Sequence, residues 1–171
     1  MLGPGKVRAG GEGVVTLGVY ANLNSPADLL GRAGMVVESV SDIRSVQWGK
    51  LVINAAINPL AAILNVPNGA LLDREPARSL LKTAAREAAS VAVALGVHLP
   101  YPDPVVATEA IASRTAANIA SMLQDVRRGA PTEIDVINGA IVKAGEKKGV
   151  PTPVNRTLTL LVRALRSSGM D

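Results

Sequence analysis

Residues 48–69, WGKLVINAAINPLAAILNVPNG, decide the fold. The stretch reads as one long apolar helix that carries Lys50, Asn54 and Asn58 at i, i+4 and i+8. At about 100° per residue, each step of four moves the side chain only ~40°, so the three project from nearly one face. Leu51, Val52, Ile53, Ala55, Ala56, Ile57, Leu60 and Ile63 fill the surfaces around them. Asn is a poor helix former, so two of them in mid-helix need an offsetting reason. Buried amides left without hydrogen bonds cost roughly 1–3 kcal/mol each. Either a structural network within the protein or a polar ligand supplies the partners.

Working outward, the 3.6-residue apolar period continues to the C-terminus. Asp42 is suited to capping the long helix, and Pro59 predicts a kink near Asn58 by removing a backbone donor. Asn65 to Gly69 forms a loop, and a second helix runs from Pro76 to Leu95, closed by Gly96. Prolines keep the loop from His98 to Pro104 extended. Helical stretches then cover Val105 to Arg114 and Thr115 to Arg128, nearly continuous, and stop at Gly129. The next helix spans Pro131 to Lys148 with a weak Thr132/Asp135 capping box, and a last one covers Asn155 to Ser167.

Upstream the texture changes. Residues 1–20, MLGPGKVRAGGEGVVTLGVY, read as short strands, KVRAG and GVVTLGVY, divided by turn glycines. GPGKVR is not a dinucleotide fingerprint, because Arg8 stands where the third glycine belongs. Residues 24–35 suggest a short helix with Ser25 as N-cap and Pro26 at its first position, followed by a strand from Val36 to Val40. The expected organisation is therefore the end of an α/β domain in residues 1–40, then an all-helical domain in residues 41–171.

Composition narrows the function. With 171 residues, 48% hydrophobic and 19% charged, the chain is globular and long enough for a real core. Aromatics are only 2% and Phe is absent, so Leu, Val, Ile and Ala must build that core and favour closely packed helices. A net charge of +4, with Lys and Arg spread out apart from Arg127-Arg128 and Lys147-Lys148 and with too few aromatics for base stacking, gives little support to nucleic-acid binding. Zero cysteines and one histidine argue against a disulfide framework, a thiol nucleophile, a zinc site and a serine–histidine triad. No apolar run reaches the ~18 residues of a membrane span and no signal pattern opens the chain, which makes the cytoplasm the expected setting.

Three constellations can carry chemistry. The first is the Lys50 line, where a lone lysine on an apolar helix has snorkelling at the surface as its ordinary role. In the second, Asn118 and Ser121 sit at i and i+3, on one side of a helix, and can donate neutral hydrogen bonds to a carboxylate. A polar helix–helix contact is the plainer alternative there. In the third, Glu133 lies in an expected first turn, where the helix dipole stabilises a carboxylate whatever its role.

WGKLVINAAINPLAAILNVPNG, ANIASMLQDVRRGAPTEIDVINGAI and KKGVPTPVNRTL, in that order and spacing, resemble the C-terminal half of the ketopantoate (2-dehydropantoate 2-) reductases over essentially the whole chain. The resemblance implies a helical domain of the 6-phosphogluconate dehydrogenase-like type, preceded by a short remnant of a Rossmann sheet. It implies NADPH-dependent reduction of 2-dehydropantoate to (R)-pantoate, on the way to pantothenate and coenzyme A. By position, Lys50 matches the catalytic proton donor. Asn54, Asn58 and Asn68 match substrate-binding asparagines, and Asn118 and Ser121 match the group that holds the carboxylate and hydroxyl end. Glu133 matches the glutamate near the cofactor and the lysine, where it could keep Lys50 charged.

The family's glycine-rich fingerprint and first strands have no counterpart, so a fragment is expected, with NADP(H) bound mainly by a Rossmann domain elsewhere. A small 2-keto acid, a Rossmann domain or second chain, and a homodimeric assembly are the expected partners; no metal is expected. Two alternatives stay open: a reductase of another 2-keto acid, and a non-catalytic helical dimerisation module. In the latter, Lys50, Asn54 and Asn58 should satisfy one another.

Overall fold

The computed structural model describes residues 13–19 and 24–166, and the expected strand KVRAG and the GPGKVR turn lie outside them. The chain falls into two compact units divided between Arg44 and Ser45. In the first, β1 (Val14–Gly18), α1 (Asn24–Arg32) and β2 (Val36–Val40) follow one another. The strands pair in parallel, from Val14 opposite Val36 to Gly18 opposite Val40. A parallel pair needs a crossover, and α1 supplies it.

The second unit is helical. Its central element is α2 (Ile43–Leu64), where every residue from Ala55 to Ala62 is buried. Eight consecutive buried residues exceed two turns, so that part of the helix is covered on all sides. Its end is marked by Asn65, a residue type that tolerates the left-handed region, at φ +52°. The Asn65 side-chain oxygen then accepts from Arg127 Nε at 2.9 Å and Nη2 at 2.8 Å.

After a 3-10 turn at Asn68–Leu71 comes α3 (Glu75–Ala94), which opens on Pro76 and stops before Gly96 at φ +71°. Its buried face is almost all alanine: Ala77, Ala84, Ala85, Ala88, Ala89 and Ala92, with Leu81 and Val91. Small side chains set short interaxial distances, so a core without Phe can still close. Asp103 caps α4 (Pro104–Arg114), accepting from the N–H of Val105 at 2.7 Å and of Val106 at 3.1 Å. Arg78 grips Glu109 with two hydrogen bonds (2.7 and 3.0 Å), tying α3 to α4. That hydrogen-bonded guanidinium holds the Glu109 carboxyl below its ordinary pKa. The unit closes with α5 (Ser121–Arg127), α6 (Asn138–Lys148) and α7 (Pro153–Arg166).

Two expected helices are shorter than their periodicity suggests. Residues 115–120 are not helical, because this segment turns its carbonyls toward another loop: Asn68 N–H donates to Asn118 and Gly69 N–H to Ala116, both at 3.1 Å. Residues 131–137 are not helical, with turns at 134–137, and α6 begins only at Asn138. There the Val136 and Ile137 N–H groups both return to the Glu133 carbonyl, and the turns bury Ile134 and Ile137 in the core. Thr132 forms no capping box, since its hydroxyl is buried without a partner.

Candidate functional site

The polar line on α2 sinks into the protein as it runs. Lys50 is exposed, Asn54 half-buried and Asn58 buried, 8% exposed. None of the three makes a side-chain hydrogen bond or ion pair with a described residue. For an exposed lysine that is unremarkable. Asn58 is a largely buried residue whose amide atoms still reach solvent, since they are not among the side-chain atoms fully buried without a partner. The three therefore do not satisfy one another, as the scaffold alternative required.

The backbone under Lys50 is braced. Gly49 is buried, and its carbonyl accepts from the Tyr101 hydroxyl at 2.9 Å. A Cβ on Gly49 would lie 2.6 Å from Pro100 Cγ, so only glycine fits beneath the loop. Burial pushes the Tyr101 phenol up to about 12 and keeps it a donor.

Asn68, 8% exposed, sits at the start of the 3-10 turn. Its Nδ2 donates to Thr115 Oγ1 at 2.9 Å, and its Oδ1 is buried without a partner. Through its backbone it joins Asn118, so these two candidates belong to one loop pair. Asn118 is exposed in that loop, and Ser121 is the exposed first residue of α5. They do not share a helix face as the i, i+3 spacing suggested, because α5 starts three residues after Asn118. Their side chains also have no partner among the described residues.

Glu133 lies in a turn rather than in a helical first turn, so no helix dipole acts on it. It is exposed and makes no ion pair with Lys50 or any other described residue. What fixes its segment is Asn138, fully buried, whose Nδ2 donates to the Ala55 carbonyl at 2.8 Å and to Asn155 Oδ1 at 2.9 Å. Asn155 passes its own Nδ2 to Ala84 O (3.1 Å) and Glu87 Oε2 (2.8 Å). Both Glu87 oxygens receive the N–H groups of Val154 and Asn155 at 2.9 Å. This relay ties α2, α3, α6 and α7 together beside Asn54. Sequence reasoning passed over Asn138, Asn155, Glu87 and Tyr101. The signal available was a pair of asparagines, Asn138 and Asn155, inside otherwise apolar helical periods. His98 is an exposed loop residue, as expected.

A groove of about 490 Å³ between α6 and α7 contains none of the candidate residues. It is crossed by the ion pairs Arg163–Asp135 (2.7 Å) and Arg156–Glu146. No helix among the described residues is long and apolar enough to cross a membrane.

Comparison with known proteins assigns the frame around these residues. Residues 42–166 match the family described as "Ketopantoate reductase PanE/ApbA C terminal". The chain is 44% identical over 160 residues to a 2-dehydropantoate 2-reductase of Pyrobaculum aerophilum, covering 94% of this chain and 57% of that protein. It spans little more than half the length of such curated relatives. Among solved structures, a PanE/ApbA family ketopantoate reductase from Ralstonia eutropha JMP134 superposes with a TM-score of 0.91 at 36% identity, over 98% of this chain and 56% of that one. D-mandelate dehydrogenase, in its ternary structure with NADH and anilino(oxo)acetate, gives 0.83 at 31% identity over 92% and 68%.

Proposed function

The chain belongs to the ketopantoate reductase family, as its C-terminal domain, and from that premise we propose that it supplies the substrate half of a site reducing 2-dehydropantoate to (R)-pantoate. The observation that carries this reading is the line on α2: an exposed ammonium, a half-buried amide, and the largely buried Asn58, whose amide still reaches solvent and has no partner among the described residues. A 2-keto acid with a hydroxyl offers complementary groups. Its keto oxygen meets Lys50, and its hydroxyl and carboxylate meet Asn54, Asn58, Asn68, Asn118 and Ser121.

Reduction places negative charge on the keto oxygen. An ammonium within hydrogen-bond reach stabilises that charge as it develops and then donates the proton that makes the alcohol. Neutral amides and a hydroxyl orient the hydroxylated acid without competing charge. NADP(H), when bound, supplies the hydride. The described residues fit it only in part: the exposed Glu133 carboxylate can accept a hydrogen bond from it, but no glycine-rich turn for a diphosphate opens a helix here. The dinucleotide is accordingly held mainly by groups outside these residues. The parallel β1–α1–β2 unit supports reading residues 1–40 as the end of a Rossmann sheet, and 41–171 as the substrate-binding and dimerisation domain. Pantothenate and coenzyme A biosynthesis in the cytoplasm is the corresponding setting.

A second reading keeps the chemistry and changes the acid. The likeness to D-mandelate dehydrogenase favours it. Comparing 2-dehydropantoate with a 2-keto acid lacking the hydroxyl separates the two, because unpaired site amides penalise the poorer substrate. The central test is Lys50→Ala, assayed in this chain supplied with a ketopantoate reductase cofactor-binding domain and NADPH. Turnover should fall roughly 10²–10⁴-fold; wild-type turnover in that variant sinks the assignment.

A further inference from the structure

We infer that Tyr101 is a positioning residue for the reductase site, its hydroxyl holding the peptide unit that joins Gly49 to Lys50. The inference rests on the proposed role of Lys50 and deepens it.

Three observations converge on this peptide. The Tyr101 hydroxyl donates to the Gly49 carbonyl at 2.9 Å, across 52 residues of chain. Pro100 packs so closely that a Cβ on Gly49 would fall 2.6 Å from its Cγ and 2.8 Å from its Cδ. Just beyond, Lys50 is exposed, whereas α2 is buried without interruption only from Ala55 onward. The half of α2 that carries the proton donor therefore lacks the all-round packing that fixes Asn58. The loop from His98 to Asp103 supplies a substitute.

That loop is itself anchored. Asp103 caps α4 through two backbone N–H groups, and Val97, on the other side, is buried. Tyr101 thus reaches Gly49 from a fixed base. A hydroxyl on a carbonyl that already belongs to the helix ladder sets the tilt of one peptide plane, and Lys50 Cα follows that plane. Reduction requires the ammonium at hydrogen-bond distance from an oxygen whose position the asparagines set independently. A displacement of ~1 Å at such a donor can cost 10²-fold in rate.

The Tyr101→Phe variant removes the hydroxyl and keeps the ring against Gly49. With the cofactor-binding domain and NADPH supplied, kcat is expected to fall roughly tenfold or more with KM for the keto acid within about twofold, because the asparagines are untouched. A purely structural role would leave kcat unchanged once the protein is folded, and that result overturns the inference. Lys50→Ala runs beside it as a control. If Lys50→Ala retains turnover, the site reading fails; if it is inactive while Tyr101→Phe matches wild type, only the positioning role fails. Amide hydrogen exchange on the 171-residue chain gives a second readout without turnover. Exchange in residues 48–54 should rise at least roughly threefold in Tyr101→Phe, with α3 and α7 unchanged. Equal exchange in both proteins overturns the inference.

Discussion

Asn138 reaches across 83 residues of chain to donate its side-chain amide to the carbonyl of Ala55, 2.8 Å away. Ala55 adjoins Asn54, so a fully buried hydrogen bond fixes the middle of α2 against the start of α6. Through it the turn that carries Glu133 is held to the helix that carries Lys50, although those two side chains form no ion pair. Support at one remove is what the exposed Lys50 needs if it holds the proposed role, because solvent cannot hold it in place.

Replacing Asn138 tests that bond. Asn138→Ala leaves Asn155 Oδ1 without its donor among the described residues and opens a cavity next to Ala55. A loss of about 2–3 kcal/mol is expected in urea unfolding, from the unsatisfied buried acceptor and the missing volume together. Asn138→Asp should be worse, since it sets an acceptor against two others. If either variant unfolds at the wild-type midpoint, the relay contributes nothing to stability.

Asn58 should behave in the opposite way. Its amide makes no hydrogen bond with a described residue and still reaches solvent, so the fold gains little from its polarity. Asn58→Leu, close in volume, is expected to leave the unfolding free energy in urea unchanged or raise it by up to about 1 kcal/mol. The same variant should raise KM for the keto acid roughly tenfold or more. Marked destabilisation with unaltered KM would assign Asn58 a structural role.

Much of this was legible in the residues. The apolar period of 3.6 located α2, α3 and α7, and Lys50, Asn54 and Asn58 share a face by spacing alone. Periodicity failed where tertiary hydrogen bonds outcompeted it. Thr115 to Ala120 can form a helix locally, but the carbonyls of Ala116 and Asn118 are claimed by the N–H groups of Gly69 and Asn68. In residues 131–137 the turns bury Ile134 and Ile137 on the side of Asn138, the face that their i, i+3, i+4 spacing would also give a helix, so periodicity alone does not tell the turns from a helix. The depth of Asn58 and the unpaired state of Glu133 depend on which elements pack nearby, and spacing carries no such information.

Gly69 tests the loop pair that holds Asn68 and Asn118. A Cβ there would lie 2.6 Å from Ala116 Cβ and 2.9 Å from its Cα. Gly69→Ala must push the two loops apart, stretching both backbone hydrogen bonds between them. The expected cost is about 1–3 kcal/mol in urea unfolding, within the range for overpacking. Adding Ala116→Gly makes room and should recover part of the loss, a coupling expected only of residues in contact. Strict additivity of the two substitutions would contradict the close approach.

Tyr101 gives the chain a signature at high pH. Burial raises its phenol from 10.0 to about 12, so the folded state favours the protonated form. A group whose folded pKa lies above its unfolded one contributes stability fully below the unfolded value and loses it as pH rises through the folded value. The window is therefore pH 10 to about 12. Comparing wild type with Tyr101→Phe by urea unfolding across that range isolates the effect, since other titrating groups are common to both. The wild-type advantage should be constant up to pH 10 and shrink steadily above it. An advantage that stays flat to pH 12 would mean that the hydroxyl ionises equally in both states, and that its hydrogen bond to Gly49 does not persist in solution.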